Sequence, residues 1–354
     1  MKVNFDSYSY YPALRTRAAE ILGLSKLAHE KKEKILPLIT LGKWPRSDEI
    51  QISLDKSLGD HSSIHSVVYD DVGGRYVPRI DIALDDAWFF ERRPGLDSKG
   101  YINVIPVVQM PESARLREES WGALMIKNAA SGDIAGMGSP AKWISVRVNL
   151  HVSLNSPENA VIFIDLGYIR GHVSAMTSAA ISAINQIRTE IPEAIISVLS
   201  TSFPSSVANF AGENGQSGYI DIMEREFHQT IGGRGVSIYG DHSSIHSVVY
   251  DDVGGRYVPR IDIALDDAWF FERRPGLDSK GYIEAARAIL KRYPNYLEEE
   301  SWGALMIKNA ASGDIAGMGS PAKWISVRVN LHITKQIELS EALKTDYDPE
   351  EDFF

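Results

Sequence analysis

Five short runs of almost unbroken apolar residues constrain the fold of this 354-residue chain more than any other feature: KILPLITL (34–41), VIPVVQ (104–109), AVIFIDL (160–166), AIISVLS (194–200) and GVSIYGD (235–241). A strand with one wet face alternates apolar and polar residues, whereas a run apolar at every position needs cover on both faces, as in a parallel sheet dressed with helices. Helical spacing recurs between the runs, over Tyr11 to Lys32 (Leu14, Ala18, Ile21, Leu22, Ala28), Val173 to Arg188 and Tyr219 to Ile231. Alternating strands and helices predict an α/β fold with a TIM-barrel-like parallel sheet; a doubly wound sheet is the alternative. After Asp241 the pattern changes. YVPRIDIALDDAWFFERRPG reads as antiparallel strands, GYIEAARAILKRY as an amphipathic helix, and the alternation of WISVRVNLHI as a strand carrying Trp324, Ser326, Arg328, Asn330 and His332 on one side. Were that last segment helical, Trp324, Arg328 and His332 would still share a face at spacing four. The chain therefore divides into an α/β core over 1–240 and an α+β elaboration over 241–354.

A second feature is an internal repeat. Gly59–Ile102 is identical to Gly240–Ile283, and Glu118–His151 to Glu299–His332, both at an offset of 181. The intervening segments, 103–117 and 284–298, agree only at Leu116 and Leu297. Drift after duplication would scatter differences along the whole block, and solenoid repeats are degenerate copies at periods of about 20–50 residues. The concentration of all divergence in one segment points to recent recombination, an engineered chimera or one block written over another. The second copy is read as the original, because GVSIYGDHSS enters it through a strand pattern and GYIEAARAIL leaves it as a helix. In the first copy the helix-like 47–58 runs straight into GDHSS, and GYINVIPVV switches from helix start to strand.

Composition narrows the function classes. The chain has no cysteine, which removes disulfides, zinc–thiolate sites and thiol nucleophiles, and its net charge of −10 argues against sequence-independent nucleic-acid binding. The apolar runs are shorter than the roughly 20 residues that span a bilayer, and MKVNFDSYSYY lacks the order of a signal peptide, so the expectation is a cytoplasmic protein off the membrane. KTDYDPEEDFF reads as an acidic, frayed tail.

Candidate sites gather where predicted strands end, the edge at which loops and helix N-termini converge on ligands in parallel folds: Thr40, Gln109, Asp165, Ser202 and Asp241. Helix capping explains such residues equally well, and is favoured for Thr40. If Asp165 and Asp241 face one another, they suit a divalent cation or acid–base work. His242 and His246 would share a metal only on a helix; GDHSSIH reads as a loop, which favours hydrogen-bonded or solvated rings and no metal. TSFPSS over 201–206 could cradle an anion or simply turn, and Ser202 lacks the surroundings of a hydrolase nucleophile. Arg225 reaching inward would bind phosphate or carboxylate; a surface salt bridge is the alternative. Trp269, Trp324, Arg328 and His332 form an aromatic-cationic cluster suited to stacking on a base or lining a partner surface, or to packing on a sheet face. No GxGxxG, phosphate-binding glycine loop or HExxH occurs, and cofactor and oligomeric state are both left open.

YYPALRTRAAEILGL, KILPLITL, VIPVVQ, NAVIFIDLG, TSFP, MEREF, YGDH, AWFFERR, GYI, SGD and the W..VR.NLH ending, taken in order, resemble the bacterial and phage "beta protein" family over 1–58, 103–117 and 152–354. The resemblance implies a phage or mobile-element setting and brings no mechanism. It frames the expectation of a protein that recognises a partner or small anionic ligand in phage–bacterium conflict, with an enzyme acting on an anionic or nucleotide-like substrate at the strand edge, through Asp165, Arg225 and Asp241, as the alternative.

Overall fold

The computed structural model describes residues 7–15, 17–41, 69–70, 79–83, 88–92, 161–190, 192, 194–247, 258–275 and 278–345. VIPVVQ with Gln109, the 47–58 segment and most of the first repeat copy lie outside them. Contacts gather the chain into two compact units, one of Met1–Phe5, Asp71–Ile162 and Gln186–Ile195, the other of Asp6–Asp70, Phe163–Asn185 and Ile196–Phe354.

The fold is α/β. Strands β1 (Tyr11–Arg15), β2 (Leu38–Leu41), β3 (Tyr69–Asp70), β6 (Val161–Tyr168), β7 (Ile195–Thr201) and β9 (Ile238–Asp241) form a six-stranded sheet in the order β3-β2-β1-β9-β7-β6. The pairs β1–β2, β2–β3, β1–β9 and β7–β9 are parallel. Although β9 and β7 separate β1 from β6 in that order, the Tyr11 and Phe163 rings meet edge to face at 5.7 Å, so the sheet curls toward a half-barrel. Its other face, with Tyr10, Leu14, Ile39 and Tyr239, packs on helix α1 (Ala18–Ser25) and on a long C-terminal helix. Gly240 of β9 sits between close neighbours: a Cβ there would lie 2.6 Å from Leu199 and 2.9 Å from the Tyr11 carbonyl.

Helices α2 (His29–Lys32) and α3 (Val173–Glu190) belong to these crossovers, and α4 (Glu224–Thr230) precedes β9. Strands β8 (Ser217–Asp221), β10 (Arg260–Ala264) and β11 (Ala268–Arg273) make an antiparallel sheet in the order β10-β11-β8. Helices α5 (Gly281–Arg292), α6 (Trp302–Ser312) and α7 (Pro321–Thr345) close the core around Ile261, Phe270, Tyr282, Ile307 and Trp324. No described helix is long and apolar enough to cross a membrane.

Three predicted elements come out differently. Tyr11–Arg15 is a strand and the helix starts only at Ala18, because Tyr11 and Pro12 pair with Gly240 and Asp241 on one side and Ala13 to Arg15 with Leu38 to Thr40 on the other. The helix expected from Tyr219 begins at Glu224, since 217–221 pairs with β11. The strand expected at WISVRVNLHI lies in the N-terminal half of α7. All of 326–334 is buried, so each polar residue that made the segment look alternating is matched to its own partner inside the core and none marks a wet face.

From the first repeat copy, β4 (Arg79–Ala83) and β5 (Trp88–Arg92) form a hairpin with Arg79 opposite Arg92 and Ala83 opposite Trp88. The identical residues of β10 and β11 pair in the same register, Arg260 with Arg273 and Ala264 with Trp269.

Candidate functional site

The polar side chains at the C-terminal edge of the curled sheet fall into two groups, separated by strand parity. On the helix-covered face lies Asp241, last residue of β9 and buried. One carboxylate oxygen accepts from the Tyr10 hydroxyl and, at 2.7 Å, the Ser243 N–H. The other accepts from the Tyr239 hydroxyl and from His332 Nε2, each at 2.9 Å. The Trp269 indole N–H, a donor only, donates to His332 Nδ1 at 3.2 Å, so the ring proton is on Nε2 and points at Asp241. Burial works to raise the Asp241 pKa, but His332 and the bonds from Tyr10 and Ser243 outweigh it and hold the carboxyl below its usual range. Beside it, burial and the negative charge of Asp241 push Glu224 up. Glu224 accepts from the Ser202 N–H and, at 2.7 Å, from its hydroxyl, which also accepts the Met223 N–H at 3.2 Å. Ser202 thus ties the end of β7 to the start of α4.

On the inner face, two residues along β6 from Phe163, stands the half-exposed Asp165. Its carboxylate accepts from His242 Nε2 at 2.9 Å and from the Gly167 N–H at 2.9 Å. Burial alone would lower the His242 pKa; the charge of Asp165 and their hydrogen bond outweigh it and raise it. The same pair brings Asp165 below its usual range against its own desolvation. His242 opens a turn in which Ser243 (φ 53°) and Ser244 (φ 65°), neither a glycine, both adopt left-handed backbone, closed by the Ile245 N–H on the His242 carbonyl at 2.9 Å. Arg15, at the end of β1, donates to the carbonyls of His246 and Ser247. The His246 ring lies 4.7 Å from that of Tyr168.

Asp165 and Asp241 therefore do not face one another: alternation along the strands sends them to opposite sides of the sheet, with His242 carried between. Among the described residues no three His, Asp or Glu side chains gather as a metal site. Arg225 reaches inward to protein groups, donating to the side chain and carbonyl of Gln336 at 2.6 and 2.7 Å and lying 4.3 Å over the Tyr239 ring. The aromatic-cationic cluster is core. Trp324 stacks on Tyr282 at 5.0 Å and donates to the Met318 carbonyl, while Arg328 lies 4.1 Å over Phe203 and donates to Asp262 at 3.2 Å. Sequence reasoning gave Glu224 no role in this site, because the helix was expected from Tyr219 and its true first turn, with Glu224 in it, emerges only once 217–221 pairs as a strand. It favoured a hydrogen-bonded or solvated ring for His242 over a metal pair with His246, but did not name the partner, a carboxylate 77 positions upstream.

These features define a class: an α/β protein with a saturated polar network on the covered face of its parallel sheet and a carboxylate–imidazole pair at the mouth of the curl. A family model described as "Beta protein" matches residues 51–156 and 152–338. "Protein beta" of Enterobacteria phage P4 is 59% identical over 364 aligned positions that cover 99% of each chain. The chain belongs to the beta protein family. No solved structure matches it.

Proposed function

We propose that the protein recognises a small anionic ligand at the C-terminal mouth of its curled sheet, in the setting of phage–bacterium conflict. The observation that carries this reading is His242. Asp165 occupies its Nε2 and favours the charged ring, while among the described residues no hydrogen bond engages its Nδ1. A protonated imidazole open at one nitrogen is a donor for an oxyanion, and Arg15 adds a second positive charge at the same edge. The phage setting rests on the relative from phage P4.

An enzyme acting on an anionic or nucleotide-like substrate at the same edge is the second reading. An imidazole oriented by a carboxylate through one nitrogen and open at the other is built for general acid–base work, which favours it. Thermal unfolding of the wild type, His242→Gln and Asp165→Asn with inorganic phosphate and nucleoside monophosphates tests both. The expected result is stabilisation of the wild type that His242→Gln abolishes with its circular dichroism unchanged. Equal stabilisation of all three proteins rejects the site, and conversion of a nucleotide during incubation by the wild type alone selects the enzyme.

A further inference from the structure

The turn after β9 is costlier than a connection needs. Ser243 and Ser244 are buried and both left-handed, a conformation that glycine adopts without steric cost and other L-residues avoid. Five groups hold it. The Asp241 carboxylate accepts the Ser243 N–H, and Tyr10, Tyr239 and His332 hold that carboxylate in turn. The His242 N–H donates to the Ser200 carbonyl at 3.1 Å, which fixes the backbone of the one residue that crosses to the inner face. We infer that Asp241 is a positioning residue: its buried network on the covered face keeps the His242–Ser243–Ser244 turn strained so that the His242 ring stays locked against Asp165 at the mouth. Strain kept at a binding edge and supported by a saturated second layer of hydrogen bonds is the pattern of a preorganised site. This rests on the ligand reading above for its purpose, although not for its geometry.

Asp241 also acts on His242 through its charge, as do Asp165 from β6 and Arg15 from β1, so replacing Asp241 would confound positioning with electrostatics. The double variant Tyr10→Phe/Tyr239→Phe removes two of the bonds that hold the Asp241 carboxylate without changing any charge. The histidine ring-proton signals of the wild type and this variant, with His242 assigned through His242→Gln, report its pKa, and titration with inorganic phosphate reports binding. The expected outcome is a lowered melting temperature with the circular dichroism unchanged, a His242 pKa that falls toward that of an exposed histidine, and phosphate binding weakened roughly tenfold or more. A His242 pKa identical in the two proteins overturns the positioning role, whatever phosphate does. A lowered pKa in a protein whose wild type ignores phosphate supports positioning and removes the ligand reading instead.

Discussion

His228 on α4 is a buried histidine kept neutral. Its Nε2 meets the Ser237 carbonyl at 2.9 Å, and burial, with Arg225 and Arg234 nearby, brings its pKa down to about 4. The unfolded chain takes up the proton near the ordinary value of about 6.5. The stabilisation is therefore fully present above about pH 6.5 and is lost as the pH falls toward 4, a loss of about 3 kcal/mol across that window. Urea denaturation from pH 7 to 4.5 should show this slope and His228→Gln should flatten it; the same slope in both would assign it elsewhere. The His242–Asp165 pair adds a term of different shape. The raised His242 contributes below its ordinary pKa and loses that contribution as pH rises through its folded value, while the lowered Asp165 contributes above its ordinary pKa and loses it on acidification. His242 was legible in the sequence as a ring in the GDHSSIH loop, hydrogen-bonded or solvated. That Asp165 would be its partner was not, since hydrogen bonding across the mouth depends on how far the sheet curls.

At the scale of elements, α7 packs against α1, α6 and β10. Asn330 clamps two of them, accepting the Gly303 N–H in the first turn of α6 at 2.9 Å and donating to the Gly23 carbonyl of α1 at 3.1 Å. Asn330→Ala leaves both backbone groups buried and unmatched, for an expected loss of roughly 2–4 kcal/mol in chemical denaturation. Gly23 is the contact point between α1 and α7: a Cβ there would lie 2.7 Å from the Ser326 carbonyl and 2.9 Å from Val329. Gly23→Ala should cost about 1–3 kcal/mol despite the better helix propensity of alanine, and a stabilised variant would mean the two helices can move apart. The strands β6, β7 and β9 and the helices α3 and α5 were legible because their apolar period is their own. β1 and α7 were not, because β1 owes its form to strands on both sides and α7 to being covered all round.

At the scale of the molecule, α7 joins the two sheets. Arg328 reaches Asp262 on β10 while His332, one turn on, reaches Asp241 on β9. Arg328 is almost fully buried and burial brings its pKa down to about 10, with Asp262 opposing that shift. Arg260 also donates to Asp262, at 3.1 Å, so it is Asp262→Leu that strands the buried Arg328 and should cost roughly 3–5 kcal/mol, and Asp262→Leu with Arg328→Met should recover most of it. A double variant no better than the single would mean the pair's packing matters more than its charge. The repeat separates local from global information. Identical residues form the same hairpin with the same register twice, yet the β10–β11 copy takes β8 as a third strand, while the β4–β5 copy forms a two-stranded sheet among the described residues. Taken alone, the sequence determined the α/β class, the hairpin, the polar character of the strand ends and the family, because these rest on periodicity, turn chemistry and motif order within short stretches. Only the tertiary structure decided which polar residue meets which. Burial on every side turned WISVRVNLHI into a helix, strand parity sent Asp165 and Asp241 to opposite faces, and the curl of the sheet brought His242 to a carboxylate far away in the chain.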